Sequence, residues 1–227
     1  MSTWKETLQG TLTKKLVVAF SGSFLLVFLV GHLLGNLALM GPLEDEVRWN
    51  FNAYAHFMTS NPFVKALSYL TYASFLVHIL YAILLACLNR RARPIGYAKR
   101  RGKEESWASR NMGLLGTLIF IFLVIHLRSF WYEMHWGDIP LDAKGNKDLY
   151  EVVVKACSEL WYVILYVLSM VFLGYHLYHG ISSASRTFGW DSQKWYGRAA
   201  QIKGRVYAIL IPFLFALIPV VIFLRTL

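Results

Sequence analysis

Residues 16–40, LVVAFSGSFLLVFLVGHLLGNLALM, decide the fold. His32 is the only ionisable side chain in this 25-residue run, which as a helix crosses the roughly 30 Å of a bilayer's hydrocarbon at 1.5 Å per residue. Lys14 and Lys15 precede the run and Gly41-Pro42 closes it, an interfacial anchor at one end and a helix breaker at the other. Four more blocks read the same way, at 64–88, 112–132, 160–185 and 206–224. Of the 227 residues 56% are hydrophobic, and the mean hydropathy of +0.44 exceeds the soluble range. Little chain remains outside the blocks. The sequence therefore predicts an all-α integral membrane bundle of five transmembrane helices, one domain over 1–227, with no soluble catalytic domain.

The net charge of +10 is not spread as nucleic-acid binding would require. Arg90, Arg91, Arg93, Lys99, Arg100, Arg101, Lys103 and Arg110 lie between the second and third blocks, against Glu104 and Glu105. Arg186, Lys194, Arg198, Lys203 and Arg205 lie between the fourth and fifth, against Asp191. The other two connections are acidic, with Glu44, Asp45 and Glu46 in one and Glu133, Asp138, Asp142, Asp148, Glu151 and Glu159 in the other. Such alternation follows the positive-inside rule and puts the N-terminus inside and the C-terminus outside. The same basic loops offer a docking surface for an inner-side partner.

Cys87 and Cys157 fall at opposite ends of the predicted bundle, so no disulfide is expected. No CxxCH is present, which excludes covalent haem attachment. The lysine-led first block has no small-residue cleavage site and reads as a retained span rather than a signal peptide. Gly22, Gly31 and Gly35 on that span suit close approach of another helix or of a flat macrocycle. Asn61-Pro62 starts the second span, Arg93-Pro94 and Gly96 break the chain after it, and Phe130, Trp131, Tyr132 and Trp136 end the third in an aromatic belt. Trp161, Tyr162 and Tyr166 open the fourth from the outer side. His56, in the amphipathic 41–61 connection, and His135, in the belt, read as interfacial residues. The fifth span, with Pro212 and Pro219, reads as a kinked and chemically silent flank.

Four histidines remain, one on each of the first four spans. An imidazole inside a bilayer is costly and marks function. His32 lies 17 residues past Lys15 and His126 lies 16 past Arg110, about 25 and 24 Å from the inner boundary. His78 lies 12 residues before Arg90 and His176 lies 10 before Arg186, about 18 and 15 Å from it. Two depths result, each served by two separate helices, which is the requirement of two bis-histidine haem sites. Zinc or di-iron would instead want ligands converging at one level, usually with carboxylates. His179, one turn from His176, is a second candidate on the fourth span, read here as bonding a haem propionate or a ligand.

Gly31-His32-Leu33-Leu34-Gly35-Asn36-Leu37, His78 with Tyr81, His126, and His176-Leu177-Tyr178-His179-Gly180-Ile181-Ser182-Ser183-Ala184 continuing to Thr187-Phe188-Gly189 carry a resemblance. In these segments the chain resembles the diheme cytochrome b membrane anchor of succinate dehydrogenases and quinol:fumarate reductases, over nearly its whole length. The resemblance implies His32 with His126 on an outer (distal) b haem and His78 with His176 on an inner (proximal) one. It implies a flavoprotein and an iron–sulfur subunit on the inner side, electron exchange with quinone, often menaquinone, near the outer haem, and a bacterial cytoplasmic membrane. The resemblance is also compatible with a dimer of such complexes. Some diheme fumarate reductases carry a glutamate two residues before the last ligand. Gly174 stands there in this chain, so a proton route of that type is not expected. Arg128 and Glu133, just past His126, are candidates for quinone headgroup binding and proton delivery, or equally for interfacial anchors.

Two rival readings stay open. A diheme cytochrome b of nitrate reductase, formate dehydrogenase or hydrogenase obeys the same ligand physics and differs in its copurifying subunits. A haem-free transporter relaying protons through the histidines would show broken helices or repeat symmetry, and the sequence shows neither.

Overall fold

The computed structural model describes residues 10–91, 107–190 and 194–227. The residues Arg93 to Glu105 of the basic connection, the Arg93-Pro94 and Gly96 break, and Asp191 lie outside the described residues. Seven helices longer than a single turn occur among the described residues. They are α1 (Thr11–Asn36, extended by a 3₁₀ turn at Leu37–Met40), α2 (Asp45–Ser60), α3 (Pro62–Arg91), α4 (Met112–Trp136), α5 (Leu149–Cys157), α6 (Leu160–Thr187) and α7 (Trp195–Thr226). A single turn at Trp107–Arg110 precedes α4. No strand occurs among the described residues beyond an isolated bridge between Leu141 and Lys147.

Five helices, α1, α3, α4, α6 and α7, are long and apolar enough to cross a membrane. Their hydrophobic centres match the five predicted blocks, but most run further. α7 begins at Trp195, eleven residues before the predicted 206. Hydropathy marks the part that sits in hydrocarbon, whereas the backbone bonds that propagate a helix continue into its charged ends. Pro212 and Pro219 are accommodated inside α7 without ending it.

Four of the five form a square. α1 packs on α3 and on α6, α6 packs on α4, and α7 lies outside against α6 and α1. The fourth side is closed by side chains, Trp131 Nε1 donating to Tyr72 Oη at 2.8 Å between α4 and α3. The two diagonals, α1 to α4 and α3 to α6, are not packed backbone to backbone.

α2 and α5 cap the end of the bundle that holds the acidic connections, and the cap is polar inside. Asn52 is fully buried; its Nδ2 donates to Asp148 Oδ1 at 2.8 Å and Asp142 Oδ2 at 3.1 Å, while its Oδ1 accepts from the Tyr150 backbone at 2.9 Å. Arg48 donates to Asp148 Oδ2, joining α2 to the N-cap of α5. Asp142 Oδ1 accepts from the backbones of Lys144 and Asn146, both at 2.9 Å, folding a tight loop at Gly145. The reading of Asp142 and Asp148 as topology charges therefore needs correction, since both are buried and work inside the fold. Burial would raise the Asp148 carboxyl, yet Arg48 and Asn52 outweigh it and hold it below the ordinary value. Asp142 is lowered on balance too, its backbone donors and Asn52 exceeding the burial term. Arg225 near the C-terminus donates to the Gly41 carbonyl and so fixes α7 to the same cap.

Candidate functional site: two histidine couples on the bundle diagonals

Each diagonal of the square carries two facing histidines. His32 of α1 and His126 of α4 stand with ring centres 5.9 Å apart. His78 of α3 and His176 of α6 stand 6.3 Å apart. These are the pairings the depth count predicted, and both reach across helices whose backbones leave the diagonal open. The spacing can be set against ligand chemistry. With metal–imidazole bonds of about 2 Å and about 1 Å more from ring nitrogen to ring centre, two imidazoles on one iron stand roughly 6 Å apart. Both couples meet that distance, so the residues fit two axial pairs. The ring planes are inclined by 90° and 69°, and axial ligation leaves rotation about the ligand axis free.

Two helices independently give the separation between the levels. Ser21, which touches His78, lies eleven residues before His32 on α1, roughly 16 Å along the helix. Tyr166, which touches His126, lies ten residues before His176 on α6, roughly 15 Å.

Both surroundings are built mostly by neighbours the sequence did not mark as site residues, Gly22 being the one expected to admit a close approach. Ser21 Oγ donates to the Val17 carbonyl at 2.8 Å and lies 3.2 Å from His78 Nδ1. With its proton so used, the hydroxyl accepts from Nδ1–H, which leaves His78 Nε2 with its lone pair free. A Cβ on Gly22 would lie 3.0 Å from His78 Cε1, so glycine is what lets α1 approach this ring. Gly35 instead makes room for the Tyr54 phenol of α2, and Gly31 meets nothing. Around the other couple, Tyr166 Oη lies 2.5 Å from His126 Nδ1. Tyr166, which opens the fourth span, is thus also a partner of the site. Phe28 stacks on His32 at 5.5 Å, Phe122 and Phe130 flank His126, and Phe215 of α7 lies 5.7 Å from His32. α7 is therefore not silent, because it walls this couple. Asn36 Nδ2 bonds the His32 carbonyl at 2.7 Å and reaches its Nδ1 only at 3.4 Å, too long to fix a tautomer.

The remaining candidates divide. His176 faces His78, while His179 makes no ring contact or hydrogen bond with the described residues. His176 Nδ1 is enclosed and unpartnered. Arg128 and Glu133 form an ion pair with each other, and Arg128 stands 4.4 Å over the Tyr132 ring. Arg128 is the second residue of a π-helical turn at Leu127–Tyr132, which opens directly after His126, and Glu133 follows that turn; such wide turns recur at functional sites, and nothing in the sequence marks this one. His135 bonds the Trp131 carbonyl, and His56 is exposed on α2. Gly174 packs where a Cβ would touch Ala208 O at 3.4 Å and Pro212 Cγ at 3.9 Å. A side chain there would be directed at α7. Among the described residues no three or more His, Cys, Asp or Glu side chains converge, as a zinc or di-iron site would need. Comparison with family models, curated proteins and solved structures gave no match.

Proposed function

We propose that the chain is the membrane-anchoring diheme cytochrome b of a succinate:quinone oxidoreductase, passing electrons between an inner-side iron–sulfur partner and membrane quinone. The observation that carries this reading is the two histidine couples, each bridging a diagonal of one four-helix bundle at its own depth. Bound b haems supply reversible one-electron transfer. The chain's residues hold and insulate them. His32 and His126 clamp the outer site, His78 and His176 the inner one, Ser21 and Tyr166 orient ligand rings, and Phe28, Phe122, Phe130 and Phe215 exclude water. By the positive-inside rule the basic end faces inward, with the N-terminus inside and the C-terminus outside a bacterial cytoplasmic membrane. Flavoprotein and iron–sulfur subunits then dock on the basic side, where the dicarboxylate chemistry resides. Menaquinone reacts near the outer couple, with Glu133 as proton donor held by Arg128. His179 lies on the inner side, within reach of a propionate.

A reduced-minus-oxidised spectrum and a haem assay of the purified protein test this. Two low-spin b haems per chain are expected, with flavin in the copurifying subunits. Molybdenum or nickel in place of flavin would transfer the chain to another quinone-linked complex. Absence of any b-type signal would favour a histidine proton relay.

A further inference from the structure

One groove among the described residues belongs to neither histidine couple. It runs between α6 and α7, encloses about 700 Å³, and is apolar along almost its whole wall. Its floor is Gly174, Ala208 and Pro212, where the missing side chain of Gly174 lets the two helices meet. It is open sideways, with Ile209 68% and Phe213 59% exposed along its rim. On α6 the lining extends from Val167 to Tyr178 and on α7 from Ala208 to Val220, about 16 and 18 Å. That is close to one leaflet, half of the roughly 30 Å hydrocarbon thickness.

The two ends differ. Toward the acidic cap the lining stays aliphatic. Toward the basic end, Trp107 packs on Tyr175 at 5.5 Å and the Arg205 guanidinium stands 5.8 Å over the Tyr178 ring. Arg205 lies one turn before Ala208 and Ile209, on the face of α7 that lines the groove. It has no carboxylate partner among the described residues, and the uninterrupted apolar block begins at the next residue, Val206. A cation with no carboxylate partner among the described residues, at the hydrocarbon boundary and continuous with an apolar trough one leaflet deep, matches an amphiphile with a straight tail and a negative head. A neutral quinone, a zwitterionic lipid or a second copy of this chain would gain less from the arginine than a headgroup of net negative charge.

We propose that this groove is a binding site for an anionic phospholipid, one acyl chain lying between α6 and α7 and the phosphate on Arg205. The site depends on neither haem nor partner subunits. Native mass spectrometry tests it on the complex as purified, delipidated in mild detergent and titrated with phosphatidylglycerol or phosphatidylcholine of identical acyl chains. One phosphatidylglycerol per chain should be retained in preference. Arg205→Gln should cut that preference roughly five-fold, the worth of one basic residue at a lipid surface, and Arg205→Lys should keep most of it. Ala216→Phe or the rim variant Val171→Phe should weaken both lipids by filling the trough, with the haem spectrum unchanged. Equal retention of the two headgroups, or indifference to Arg205→Gln, would overturn the proposal. So would a quinone or a cross-linkable second chain in the groove.

Discussion

The two histidine couples share chemistry but not surroundings. The couple near the acidic cap is walled by phenylalanines from α1, α4 and α7, with a phenol on one ligand. The couple toward the basic end has a hydroxyl and a bare backbone at Gly22 against one ligand, and nothing on Nδ1 of the other. A ligand bonded on its far nitrogen is a stronger base, and a dry wall disfavours the more charged iron state. On the proposed diheme reading, haems held by identical ligands in such different shells would carry different potentials, and each shell should respond only to its own substitutions.

The sharpest way to break the comparison is to remove a ligand. His126→Ala should abolish the outer haem and His176→Ala the inner one, each leaving about half the haem per chain by pyridine haemochrome assay. Loss of both haems from either variant would mean the couples are not separate sites. Gly22→Val comes next. With a Cβ already 3.0 Å from His78, the larger residue must displace the ring, and the inner haem signal should fall while the outer persists. The third concerns the cap. Asp148→Asn leaves Arg48 and Asn52 imperfectly paired and should cost about 2–3 kcal/mol, discounted because Arg48 is 34% exposed. Thermal unfolding in detergent reads this. Because Asp148 and Asp142 are held below the ordinary carboxylate value, their contribution is present above about pH 4 and is lost as pH falls through their folded-state values; Asp148→Asn should flatten that acid limb. The smallest effect sharpens the comparison. If His126 ligates through Nε2, its Nδ1 carries a proton and Tyr166 accepts it, so Tyr166→Phe should raise the outer potential by roughly 20–60 mV and leave the inner one in place. Equal shifts in both titration waves would deny the assignment.

Much of this was legible in the residues. Long apolar runs must become helices in lipid, and counting from flanking cations gave the histidine pairings before any coordinates. What was not legible depends on contacts between distant segments. Asp148 resembles any loop aspartate until Arg48, a hundred positions away, closes on it. Tyr166 carries no mark of the site in the sequence because only the packing of α6 on α4 turns it to His126. Phe215 had no signal at all, since an apolar residue in an apolar span can face lipid or a cofactor with equal ease. The extension of α7 to Trp195 escaped because charge ends a hydrophobic run without ending a helix.

The wide turn after His126 carries one more consequence. It holds one residue beyond what regular winding would use, so the far end of α4, Trp131 included, is rotated by up to about 100° relative to the half that carries His126. Excising a single residue between 127 and 132 would let the spiral close normally. Trp131 would then swing off Tyr72, unlatching the side of the square that side chains alone hold shut, while His126 kept its heading.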